Sequence, residues 1–371
     1  MEFALTEDQA SIDELAGKML TELVTDDSLK ALDRDGQWFH AEAWAALADA
    51  QLLGLSLPED VGGTGFGVVE LSLLARHAGR VVAPLPLIPM IFGSAWALAS
   101  YGDDDVRADV LSPLLAGKSF VALALEESNN RNLLAPVTSA SEGDKITGSK
   151  TGVVMGAESS HAVVSAHGPA GPSLYLVSLA QDGVTQAAQR STDGTPSSLI
   201  EFDGATAIEL GGGLNALSQL VERVRLGVCA ETLGVCDTAI SMTAEYTRTR
   251  KQFRVPIGMF QAVKQRIADA YIDRGALEVT TLKAACLIAD GGDAGRAVSI
   301  ASMWAADAGH RVVCAAQHLH GGMGFDRDYA IHRYFLRAKR LEFTFGSAPE
   351  HLAELGDRIA DDGDGSDEEA L

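Results

Sequence analysis

The feature that most narrows the fold is a hydrophobic period that changes twice along one chain. Over residues 1–118 apolar side chains recur at helical spacing. Thr6 ahead of Glu7, Asp8 and Gln9 reads as a helix start, with a capping hydroxyl and acids in the first turn. Ala41 to Leu53 repeats the spacing and stops near Gly54, before a loop rich in glycine from Leu57 to Gly65. Over residues 119–210 short apolar runs alternate with turn residues. Phe120–Leu125, Gly152–Val154, Ala162–Val164 and Leu174–Val177 read as strands, and Ser141–Asp144 as a turn before Lys145–Thr147. Over residues 211–360 the helical period returns in long stretches. One helix carries Leu220, Val224, Val228 and Leu233, a second covers Phe260–Ile288, a third Ala294–His318, and a last begins near Tyr329, where Asp328 is expected to cap it. Short connections between long helices predict a four-helix bundle. The expectation is an α+β chain: an N-terminal all-α domain, a middle β domain, a C-terminal bundle, and at 361–371 a one-sign, Gly-containing acidic tail of disordered type.

Several function classes fall away on composition. At 371 residues the chain exceeds what one simple core organises. A formal charge of −22 repels nucleic-acid phosphates. The four cysteines, Cys229, Cys236, Cys286 and Cys314, form no CxxC pair and lie in apolar helical contexts, so buried free thiols are expected rather than metal ligands or disulfides. No basic segment followed by a long apolar run opens the sequence, and no apolar stretch approaches the ~18 residues of a membrane span. The expectation is a cytoplasmic protein.

Two segments carry chemistry. Arg250 to Gln261 places an arginine at a helix end, followed by Gln252, Phe253, Arg254, Pro256, Gly258 and Phe260. Gln317 to Phe325 places Gln317, His318 and His320 ahead of Gly321, Gly322 and Gly324. A guanidinium fork matches phosphate oxygens and stays charged. Glycines let backbone N–H groups approach a ligand closely, Gln317 offers both donor and acceptor, and Phe253 can pack on a flat ring. Taken alone, Arg250 fits an intrahelical ion pair better, and the glycines a simple turn. His318 and His320 read as packing or hydrogen-bonding groups, since no third metal ligand accompanies them.

Both segments, together with Leu57 to Gly63, resemble signature segments of the acyl-CoA dehydrogenases, and the resemblance extends to about residue 358. It implies FAD as cofactor, an acyl-CoA substrate and an electron-transferring flavoprotein as acceptor. It implies that Arg250, Gln252, Phe253, Phe260, Gln261, Gln317, His320, Gly321, Gly322 and Gly324 hold the ADP half of a flavin whose ring lies in the neighbouring subunit. Arg254 stands where the family usually has glycine.

The resemblance fails where the reaction needs it most. The family's base is a glutamate in one of two places, and here those places hold Phe345 and Val224, which accept no proton. The usual Thr-Glu-Pro segment reads Leu125-Glu126-Glu127-Ser128. Gly152 and Val154 stand where a flavin-contacting Trp-x-Thr pair is usual. The chain is similar to the non-catalytic subunit of α2β2 acyl-CoA dehydrogenases of sterol side-chain degradation, which implies a related partner chain that carries the base. Two alternatives stay open. One is a self-sufficient enzyme with a relocated base, Glu231 or Glu342. Against it, Glu231 lies about 10 Å along the helix from Val224 and fits an ion pair between helices, and Glu342 fits a pair with Arg337 or Lys339. The other is a flavin-free scaffold.

Overall fold

The computed structural model describes residues 5–363. Its first layer is helical: α1 (Glu7–Leu23), α2 (Asp26–Arg34), α3 (Ala41–Asp49) and α4 (Val68–Arg80), followed by an apolar π-helical stretch at Leu87–Ala95 and the short α5 (Trp96–Tyr101), α6 (Asp104–Val106) and α7 (Ser112–Leu115). Thr6 caps α1 as its sequence suggests, accepting from Gln9 N while the Gln9 side chain accepts from Thr6 N, which satisfies two otherwise orphaned donors. α3 ends four residues before Leu53, because Gln51 turns left-handed at φ 59° and a short 3₁₀ turn follows.

Seven strands follow: β1 (Val121–Ala124), β2 (Ser139–Ser141), β3 (Lys145–Val154), β4 (His161–Gly168), β5 (Gly171–Ser178), β6 (Val184–Arg190) and β7 (Pro196–Gly211). β4, β2, β3, β7 and β5 pair in a ring, with β5 returning to β4, so the sheet closes into a small barrel. β1 lies beside β4 and β6 beside β7. Ala140, Ile146, Val164, Tyr175, Ile200 and Phe202 fill its interior. β2, β6 and β7 escape a search for apolar runs: β6 is exposed along most of its length, and β7 alternates buried and exposed residues.

The C-terminal helices are α8 (Gly213–Thr249), α9 (Gln261–Ala289), α10 (Gly295–His320), α11 (Ile331–Leu341) and α12 (Ala348–Gly363), with a two-stranded turn, β8 (Lys251–Gln252) and β9 (Val255–Pro256), between α8 and α9. The expected fourth long helix is two helices. Phe345 at φ 59° and Gly346 at φ 128° break the helical path between them. Asp328 does not cap α11: Ala330 occupies the cap position without a side-chain bond. Residues 361–363 extend α12, and the rest of the expected acidic tail lies outside the described residues. All four thiols are free, Cys229 and Cys236 buried and Cys286 and Cys314 only half-buried.

α8 is buried on almost every side over its middle third. It crosses α4 with almost no space between the backbones. A methyl at Gly234 would sit 1.9 Å from the Arg76 carbonyl oxygen, and one at Gly79 would sit 2.0 Å from that of Glu231. Gly234→Ala must therefore push two helices apart, and overpacking of this kind costs about 3 kcal/mol or more. Gly275→Ala on α9, where an added methyl meets nothing within 4 Å, should instead be neutral or stabilise by up to about 1 kcal/mol. Urea unfolding of both variants checks the pair. An unchanged midpoint for Gly234→Ala would show that the crossing is not tight.

Candidate functional site

The two signature segments meet at one end of the bundle because α8 and α10 end side by side. The Tyr246 ring stacks on the His320 ring at 4.5 Å and 27°. Sequence reasoning passed over Tyr246, which lies outside both segments. Arg250 is the C-cap of α8, its N–H donating to Tyr246 O at 2.8 Å. Beyond it Phe253 (φ 52°) and Arg254 (φ 71°) form the tip of the two-stranded turn, both left-handed, a conformation that disfavours side chains by about 1–2 kcal/mol. Phe253 is 88% exposed, with Phe260 edge-on at 6.3 Å. Arg250, Gln252 and Gln261 are exposed.

Across from them, Gly321 and Gly322 form a bare turn, since an added methyl at either meets nothing within 4 Å. Gly324 is glycine for packing: a methyl there would sit 2.6 Å from Gln317 O, and Gln317 Nε2 donates to Gly324 O at 3.3 Å. His320 is 2% exposed. Its Nδ1 pairs with Ala316 O at 2.8 Å, which leaves Nε2 as a buried acceptor with no partner among the described residues.

The second region lies between the barrel, α8 and the α11–α12 break. Phe345 is 6% exposed and Val224 fully buried. The Phe345 carbonyl accepts from Arg225 Nε at 3.0 Å, and Arg225 grips Glu354 with both amino groups at 2.6 and 2.8 Å. Glu231 is buried against Arg337, whose Nε donates to it at 2.6 Å. Arg337 Nη1 reaches Asp193 at 2.9 Å. Burial opposes the Arg337 charge, but the two carboxylates overcome it and hold its pKa above the usual guanidinium value. Burial would likewise raise Asp193, yet Arg337 and Arg340 bring its carboxyl down to about 2. Glu342, just past the end of α11, pairs with Lys339 of that helix and with His310 at 3.1 Å, not with Arg337. Neither acid considered as a relocated base is a free carboxylate.

One acid here went unweighed in the sequence. Glu126 follows β1, and its carboxyl is pushed up to about 7 by burial, against the pull of Arg340, the Phe345 backbone N–H and Arg131. Its neighbour Glu127 faces the barrel, accepting from Lys150 Nζ at 2.8 Å, Thr138 Oγ1 at 2.6 Å and the backbone N–H of Val137 and Thr138. Two adjacent glutamates give no sequence signal of which one is tied down.

Comparison with known proteins fits this architecture. The family model for the acyl-CoA dehydrogenase N-terminal domain matches residues 6–118, and that for the C-terminal domain matches residues 211–360. The chain belongs to the acyl-CoA dehydrogenase family. These are oxidoreductases acting on a CH–CH bond. Among acyl-CoA dehydrogenases, the Mycobacterium tuberculosis protein FadE27 is 34% identical over 97% of this chain and 99% of its own length. The Tcur3481–Tcur3483 steroid ACAD superposes with a TM-score of 0.91 at 36% identity, covering 97% of this chain and 99% of that one. The ChsE4–ChsE5 complex of M. tuberculosis gives 0.90 at 33% identity, covering 99% of this chain and 100% of that one. The second structure is of a complex of two named chains, and the first, a G363A variant, also carries a paired name. Among the described residues no helix is long and apolar enough to cross a membrane.

The ion-pair chain predicts its own stability profile. Arg337→Ala leaves Glu231 and Asp193 buried without their cation and should destabilise by about 3–5 kcal/mol. Because the folded-state pKa of Asp193 is depressed, its contribution is fully present above pH about 4 and is lost as pH falls toward 2, on the order of 2 kcal/mol. In acid titrations of stability, Asp193→Asn should start lower than the parent and converge on it across that window. Parallel curves would refute the assignment.

Proposed function

We propose that the chain is the base-less subunit of a heteromeric, FAD-dependent acyl-CoA dehydrogenase, in which a related partner chain carries the catalytic glutamate and the acyl-CoA. The observation that carries this reading is the filling of both base positions by packed, non-ionisable side chains, Phe345 and Val224. With Glu231 and Glu342 engaged in ion pairs, this chain offers no free carboxylate at those sites to take the proton α to a thioester carbonyl. The steroid wording of the Tcur3481–Tcur3483 structure supports a bulky acyl-CoA thioester as substrate, and the paired names of both structures support a heteromer. An electron-transferring flavoprotein is the proposed acceptor.

The bundle end suits the ADP half of the cofactor. When bound, FAD accepts the hydride leaving the β carbon. This chain's share is to hold and orient. The Arg250 fork would pair with phosphate oxygens. The bare Gly321–Gly322 backbone admits a phosphate or ribose closely, and the unmet His320 Nε2 is an acceptor for a hydroxyl donor. Gln252, Gln261 and Phe253 line the approach, Phe253 offering a face on which a flat ring can stack. Gln317 and Gly324 shape the turn rather than reach outward.

Co-expression with a related chain that retains the glutamate should give a yellow complex holding about one FAD per pair of chains. This chain alone should show no acyl-CoA dehydrogenation. Arg250→Ala should weaken FAD retention by the complex roughly tenfold or more, the scale of a lost charge-assisted bond. Turnover by the pure isolated chain would overturn the reading.

A further inference from the structure

An open cleft of about 680 Å³ lies between the barrel, the loop after β1 and the α11–α12 break, lined by Glu126, Arg131, Gly152, Gln189, Arg190 and Arg340 among others. Most of its lining residues are polar, and it holds three arginines against three glutamates, one of which, Glu127, is neutralised by Lys150 outside the lining. Arg131, Arg190 and Arg340 face it. Of its acids, Glu127 is tied to Lys150 and Glu350 bonds Ser347, with Arg131 3.7 Å away. In a protein of net charge −22, a cleft with surplus cation is a place built for an anion.

Two of its charged groups, Arg340 and Glu126, have no hydrogen bond with another side chain among the described residues. The Arg340 side chain is 14% exposed, and its nearest acid, Asp193, stands 4.0 Å away and is already bonded to Arg337. Among the described residues no hydrogen bond of the Arg340 side chain is formed. This half-buried guanidinium carries five donors, and none of its nitrogens is sealed from solvent, so they are open to a ligand. Glu126 lies near it but makes no ion pair with it, and no side chain hydrogen-bonds to its carboxyl among the described residues. Gly152, at φ 65°, keeps the space over that carboxyl open: a methyl there would stand 3.4 Å from Glu126 Oε2. Gln189 fixes this edge, accepting from Gly152 N at 2.9 Å.

We propose that this cleft binds a small polar organic carboxylate, gripped by the Arg340 fork and by the Glu126 carboxyl, with Arg131 and Arg190 drawing it in at the rim. A guanidinium and a protonated carboxyl both donate to a carboxylate, which has four acceptor positions to receive them. The site goes beyond the proposed division of labour: it shares no lining residue with the bundle end, and Glu126 and Gly152 stand in it where the family usually has flavin-contacting groups. Burial holds Glu126 near its midpoint at pH about 7. Arg340 on α11, Arg131 after β1 and Glu350 on α12 are the charged groups that face it, and Arg337 is neutralised by Glu231 and Asp193.

Isothermal titration of the full-length chain with succinate tests this, with inorganic phosphate as the competing anion. Succinate should bind. Arg340→Met should weaken it about tenfold or more, and Arg340→Lys by less. Arg131→Glu, at an exposed position that does not endanger folding, should weaken it several-fold. Parent affinity should fall as pH rises from 6 to 8, as Glu126 ionises against the bound anion, and Glu126→Gln should flatten that profile. The proposal is overturned by failure of succinate to bind. It is also overturned by binding indifferent to both arginine changes, or by phosphate binding as tightly with the same dependence on Arg340.

Discussion

The whole molecule is organised by a contact without side chains. α4 and α8 meet at Gly79 and Gly234, where each helix presses on the other's carbonyl groups. That approach fixes the depth and rotation of α8, and α8 carries nearly everything of interest: Val224 in the packed core, Arg225 holding the α11–α12 break through Phe345, Glu231 anchoring Arg337, and Arg250 at the far tip. Arg76 and Arg80 of α4 converge on Asp237 of α8, with Arg274 of α9 reaching the same carboxylate. The crossing is thus locked by charge on the bundle side and by steric contact at its centre. A helix of 37 residues held this way acts as a rigid ruler between the two regions.

What the sequence made legible follows from how local the cause was. Helix periodicity, the Thr6 capping box and the Gly321–Gly324 turn depend on residues near one another, and each could be read directly. The three-layer order was equally plain, because the hydrophobic period changes with the architecture. The misses depend on partners far along the chain. β7 is one long strand because it pairs with β3, β5 and β6, and that is invisible in its own alternation. The fate of Glu126 and Glu127 is decided by Lys150 and Arg340, more than twenty residues away. The Tyr246–His320 stack exists only because two helices end together. The break at Phe345 was unreadable for another reason: a phenylalanine in the left-handed region is disfavoured by its own chemistry and is held there by Arg225 and the surrounding core.

Burial also distinguishes the two regions. At the bundle end Arg250, Gln252, Phe253 and Gln261 lie open, as groups awaiting another surface would. Between barrel and α11 the charges are buried in a connected series, Glu231 to Arg337 to Asp193, with Arg340 at its edge. Such a series is expensive to assemble and gains its worth only when every member is answered. Glu231, Arg337 and Asp193 answer one another and Arg340 is left open toward the cleft, on ground where the family resemblance leads one to expect ring-binding hydroxyls and an aromatic lid.

The exposed tip has a consequence for the life of the protein in a cell. Phe253, Met259, Tyr271 and Ile272 are large apolar side chains left on the surface of this one chain, the last three lining one groove. Uncovered patches of this kind are what chaperones and proteases recognise. If the proposed partner chain covers that face, a copy made in excess of it is exposed to clearance rather than stored.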